Sequence, residues 1–169
     1  MAGVMWPNLV VGDAMMRPIN RTVLRETYAH MVGRVTYEMG AKAPSLTCDS
    51  ADIAQIDCSG LARYLVAKAS GQAVIMPDGS AAQLQWCIDS GLERESYQPG
   101  ATAQDNVLRI HFLTAERAAM VGRPGDRHVW FTFNGRTIES HGGGGCVPRL
   151  PLIWILEQSD YSFVVPSIP

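Results

Sequence analysis

Apolar residues recur at two different periods along this chain, and the change of period divides it. In the first half they fall at helical intervals. Leu24, Tyr28, Met31 and Val32 share one helix face. That stripe predicts a helix capped by Asn20 or Thr22 and ended by Gly33. A polar loop over 40–55 follows. Leu61, Tyr64, Leu65 and Lys68 then predict a second helix over 56–69, stopped by Ser70-Gly71. Leu84, Cys87 and Ile88 predict a third over 80–90, with Pro77-Asp78-Gly79 as the turn before it and Ser80 as its cap.

Past residue 106 the period shortens to that of strands. Residues 107–113 and 129–133 read as strands, and Asn134-Gly135 is the strongest hairpin signal in the chain. The returning strand is expected over 137–141, and 152–156 and 161–165 complete the sheet. Helices first and an antiparallel sheet second make an α+β arrangement. The 169 residues, 47% of them hydrophobic, can bury one sizeable core but not two comfortable ones. A single domain over 1–169 is therefore expected, with its core running over 21–165.

Charge narrows the partners. The formal net charge is -2 and no basic block stands out, so neither nucleic acid nor a polybasic membrane contact is expected, and the chain is expected to act as a monomer. No apolar run is long enough to span a bilayer. Residues 1–11 lack a basic leading region and are interrupted by Pro7-Asn8, so no signal peptide is expected. The protein is expected to be made in a cytoplasm and to reach any outside target by another route. The four cysteines form no C-x-x-C pair, so no metal site is expected. Cytosolic thiols stay reduced, which argues against a Cys48–Cys58 disulfide.

The stretch that can carry chemistry is Asp57-Cys58-Ser59-Gly60, opening the second helix. There, unpaired backbone N–H groups and the positive end of the helix dipole favour a thiolate and can hold a developing oxyanion. The alternative is a small half-buried core cysteine. A nucleophilic thiol needs a base, and the base an orienting partner. His128 opens one expected strand, and His141, in Ile138-Glu139-Ser140-His141, lies near the end of the next. Facing strands would make the two imidazoles cross-strand neighbours. Cys146 is a weaker rival nucleophile, having no helix start behind it. His30 and His111 read as structural or surface residues, and Trp6, Trp86, Trp130 and Trp154 as core or groove wall.

Asp57-Cys58-Ser59-Gly60-Leu61, with His128-Val129 and the later His141, resembles the NlpC-type family of papain-like cell-wall cysteine peptidases. The family carries a D-C-S-G nucleophile motif, an H-V strand start and a third polar residue on the next strand. Thr36-Tyr37-Glu38-Met39-Gly40-Ala41 stands where the family has P-Y-x-W-G-G, and Ser80-Ala81-Ala82-Gln83 looks like its S-x-x-Q segment. Thr36, Met39 and Ala41 depart from that pattern. The Cys58-to-His128 separation is also longer than the family's usual one, which suggests insertions over 98–103 or 116–125 that would rim the cleft.

The resemblance implies a papain-like fold, N-terminal helices packed on the C-terminal antiparallel sheet. It implies Cys58 as nucleophile, His128 as base, His141 as orienter and Tyr37 beside the oxyanion. Asp57, Ser59 and Gly142 are expected to line the substrate site, with Gly142 opening a low wall or flexible loop over 142–145. The implied activity is hydrolysis of amide bonds in peptidoglycan stem peptides, without metal or organic cofactor. A phage or prophage lysin, or a toxin delivered by other machinery, fits that activity. Three other readings use the same fold: an amidase at the sugar–peptide junction, an acyltransferase, and a non-catalytic binding module.

Overall fold

The computed structural model describes residues 16–95, 106–149 and 159–169. In chain order the elements are β1 (Ile19–Asn20), α1 (Arg21–Ala29), a 3-10 turn (Ser50–Asp52), α2 (Cys58–Ala69), α3 (Ser80–Asp89), β2 (Arg109–Leu113), α4 (Ala115–Met120), β3 (His128–Phe133), β4 (Arg136–Ile138), β5 (Tyr161–Val164) and β6 (Ser167–Ile168). The result is a mixed α and β molecule. Four strands form an antiparallel sheet in the order β4-β3-β2-β5, and β1 and β6 form a short parallel pair. No helix among the described residues is long and apolar enough to cross a membrane.

The central element is α2. Ten of its residues are buried, and only Arg63 and Lys68 are partly exposed. A helix apolar on nearly every side must be covered on nearly every side. It packs on α1, α3, β1 and β3. Ile110, Phe112, Val129, Phe131, Ile138 and Phe163 join it in one core cluster. His111, Leu113, Trp130, Thr132 and Ser162, at the alternate strand positions, are buried too. His111 there bridges Ser162 Oγ at 2.8 Å and Thr132 Oγ1 at 2.7 Å. Burial, with the nearby Arg109 charge, holds its pKa down at about 3, so this imidazole is a neutral structural group.

Several expected boundaries move. Asn20 does cap α1, accepting from the Val23 N–H at 2.9 Å, but the helix ends at Ala29 and residues 30–33 continue as turns. Gly79, with φ of 84°, takes the cap position expected of Ser80, which is the first helical residue of α3. Residues within 116–125, read as an insertion, contain most of α4, whose cap Thr114 accepts from the Arg117 N–H at 3.2 Å. The returning strand stops at Ile138 instead of reaching 141. The expected strand over 152–156 and the suggested insertion over 98–103 lie outside the described residues.

Candidate active site

Asp57 builds the start of α2. Its Oδ1 accepts from the Gly60 N–H at 2.6 Å, which caps the helix, and its Oδ2 accepts from the Gly40 N–H at 3.1 Å. Lys42 Nζ donates to Asp57 Oδ2 at 2.6 Å and to Ser59 Oγ at 2.9 Å. A β-carbon at Gly60 would sit 2.9 Å from the Ala41 carbonyl oxygen. The motif residues around Cys58 thus clamp the 40–42 segment onto the first turn of α2. Asp57 and Ser59, expected to face substrate, are buried at 6% and 5% exposure and committed to these bonds. This corrects their expected role: they shape the site from behind.

Cys58 is the first residue of α2, so its N–H has no partner within the helix. It is 8% exposed and lies close enough to His128 to raise the pKa of that imidazole. None of the four cysteines is in a disulfide. Burial raises the Cys87 thiol to about 12 and the Cys146 thiol to about 11, so both are poor thiolates at neutral pH.

His128 opens β3, opposite Leu113 of β2. Its Nε2 lies 2.8 Å from Glu139 Oε2. The Trp130 ring stacks on the imidazole at 5.2 Å between centroids and 19° between planes. Burial works against a charged imidazole here. The hydrogen bonds to Cys58 and Glu139, with the negative charge of both, outweigh it and raise the His128 pKa to about 9.

Glu139, not singled out from the sequence, is the residue that the structure places against His128. Its side chain is fully buried, yet four donors surround it. Besides His128, Thr137 Oγ1 donates to Oε1 at 2.6 Å, Arg149 Nε to Oε1 at 2.8 Å and Arg149 Nη2 to Oε2 at 2.6 Å. Burial favours the protonated acid, but the His128 and Arg149 interactions dominate and hold its pKa at about 2.

His141, expected to orient His128, is not hydrogen-bonded to it. Phe131 pairs with Ile138, and extending that register three residues would put His128 opposite His141. The ladder ends first, and His141 folds back over the glycine turn. Its Nδ1 lies 3.1 Å from the Gly142 carbonyl oxygen, and a β-carbon at Gly144 would sit 2.4 Å from its Cε1. Its Nε2 is buried and has no hydrogen-bond partner among the described residues.

The glycine run is a tight turn, closed by the Gly145 N–H donating to the His141 carbonyl at 2.8 Å. Gly145, at φ of 67°, presses on the Val35-Thr36 segment before Tyr37: a β-carbon there would lie 2.3 Å from the Val35 carbonyl oxygen. Thr36 is hydrogen-bonded on its other side to Ala54 and Ile56. Tyr37 is held between these neighbours at the mouth of the cleft. Burial raises its pKa first, then the negative charge of Cys58, Asp57 and Asp126, so the hydroxyl keeps its proton and remains a donor.

Tyr37, His128, Trp130, His141, Gly142 and Arg149 share an open cleft of about 360 Å³ with residues of the 123–127 loop. Of the sequence-predicted site residues, Tyr37, His128, His141 and Gly142 line this cleft; Cys58, 8% exposed, is not among its lining residues but lies close enough to raise the pKa of both Tyr37 and His128. Among the described residues no cluster of three or more His, Cys, Asp or Glu is placed to hold a metal ion. A thiol, an imidazole with a buried carboxylate behind it, and a free N–H at the thiol are the parts of nucleophilic acyl chemistry. No protein-family model matches this chain, and no curated protein sequence matches it.

Proposed function

We propose that this chain is a papain-like cysteine hydrolase that cleaves amide bonds in peptidoglycan stem peptides. The observation that carries the chemistry is the chain Cys58–His128–Glu139, with its carboxylate end buried and its thiol end at a helix start. Support for the substrate class is the resemblance of the Asp57-Cys58-Ser59-Gly60 and His128-Val129 segments to wall peptidases. The order of nucleophile on a central helix and base at a strand start is that of papain-like enzymes.

In the proposed reaction the Cys58 thiolate attacks the amide carbonyl and a C–S bond forms. The oxyanion is received by the Cys58 N–H and the Tyr37 hydroxyl. His128 gives a proton to the amide nitrogen as the C–N bond breaks, and the amine leaves. Water then attacks the thioester, losing a proton to His128, and the C–S bond breaks to free the acid and the thiolate. Glu139 keeps the imidazole oriented and stabilises its protonated form. Trp130 shields the His128–Glu139 bond from water.

Incubation with a soluble stem peptide, quenched in acid, tests this directly. Intact-mass measurement should show the acyl group on Cys58, and added amines should not divert it from water. Transfer to an amine in preference to water would make the enzyme an acyltransferase. Absence of any acyl adduct with continued cleavage would exclude the thioester route.

A further inference from the structure

A second cavity of about 240 Å³ lies between α3 and the β2–α4 corner. Ala81, Leu84 and Ile88 form one wall, and Phe112, Leu113 and Tyr161 the other. Leu113 and Arg127 line both this groove and the cleft at His128, so the two adjoin at these residues. Ile88 is 45% exposed, so the groove presents apolar surface to solvent beside the reacting centre.

Arg127 stands at the junction, directly before His128 in the chain and exposed. The cleft's other arginines are engaged by carboxylates, Arg149 by Glu139 and Arg123 by Asp126. Arg127 makes no hydrogen bond or ion pair among the described residues. A guanidinium is always charged at physiological pH and presents a planar fork matched to a carboxylate. Glu116 also lines the groove, and its charge disfavours a second acid beyond the first. Cation at the mouth, apolar walls and acid in the lining define the polarity of what can lie there.

We propose that Arg127 and the α3 groove form a substrate subsite for a carboxylate-bearing peptide segment, its carboxylate on Arg127 and its apolar part along Leu84 and Ile88. The subsite rests on the reading of Cys58 as the reacting group only in assigning the ligand as substrate; the binding itself does not need the thiol. Arg127 would then decide which acyl compounds are accepted, while Cys58 and His128 decide what happens to them.

The test uses the full chain carrying Cys58→Ala, so that no reaction intervenes. Hexanoate and its neutral analogue hexanamide are titrated while the methyl resonances of Leu84, Ile88 and Leu113 are followed by NMR. Hexanoate should bind about three- to tenfold more tightly at low salt, the size of one partly screened charge contact. Both ligands should shift the Leu84 and Ile88 methyls. Arg127→Gln should abolish the preference and Arg127→Glu should reverse it. Equal binding of the two probes, a preference that survives Arg127→Gln, or shifts that spare Leu84 and Ile88 would each overturn the subsite. Failure of the hydrolase reading leaves these results unchanged, because the thiol is absent from the experiment.

Discussion

Glu139 carries the weight of the site at the scale of single residues. It is a fully buried carboxylate, and such a group persists as a charge only with its lone pairs filled. Thr137, Arg149 and His128 fill them. Glu139→Gln keeps the shape and an acceptor for His128 but removes the charge that supports the imidazolium. Turnover should fall by about 10²- to 10⁴-fold with little change in the Michaelis constant. His141→Ala should cost much less, because His141 makes no hydrogen bond to His128 in the structure. Kinetics on a soluble stem peptide separate the two. Equal losses in both variants would restore His141 as the orienting group. The sequence held a sign of this: Glu139 is the one charged residue in Thr137-Ile138-Glu139-Ser140-His141 that can be an acceptor for His128, and in the strand expected over 137–141 it would share a face with His141. The choice between them depends on Arg149, which sequence pattern does not connect to either.

Elements position these residues, and here legibility was uneven. The α2 stripe and its stop were readable because apolar spacing and the Ser70-Gly71 pair act locally; its start was not, since Asp57 caps the helix and places its first residue at Cys58 instead of 56. The hairpin at Asn134-Gly135 was readable because a two-residue turn with positive φ at both positions requires such residues. The early end of β4 was not. It depends on distant partners: Ser140 Oγ donates to the Ile56 carbonyl at 2.7 Å, and the Thr137 N–H donates to the Arg149 carbonyl at 3.0 Å. Likewise α4 is too short for its period to show. The glycine turn has a structural part that its composition hid, since Gly145 lets the turn press against the Val35-Thr36 segment before Tyr37. Gly145→Ala should therefore destabilise by about 2 kcal/mol or more, through positive φ and the clash with Val35. It should also lower turnover by displacing Tyr37. Chemical denaturation and kinetics on the same variant check this. A silent Gly145→Ala would mean that the turn is loosely held.

At the scale of the whole molecule, the buried titratable groups set the pH range of stability. His128 is raised from 6.5 to about 9, so its contribution is complete below pH 6.5 and is lost as pH rises through 9. Glu139 is lowered from 4.5 to about 2; its contribution is complete above pH 4.5 and is lost as pH falls through 2. His111 is lowered from 6.5 to about 3, so the unfolded chain takes up a proton first and stability declines as pH falls from 6.5 toward 3. Maximum stability should lie close to pH 6.5. Melting temperatures across pH 3 to 10 should show both limbs, with His128→Ala flattening the alkaline one. A maximum above pH 9 would contradict the assigned charge states of His128 and Glu139.

The most direct measurement on the central claim is digestion of purified peptidoglycan by the full chain, followed by mass spectrometry of the released fragments. The expected result is new fragments ending at a single type of stem-peptide amide bond, produced by the native protein and absent with Cys58→Ala. Identical fragments from the Cys58→Ala protein, or no release from intact peptidoglycan by a protein whose Cys58 and His128 are in place, would contradict it.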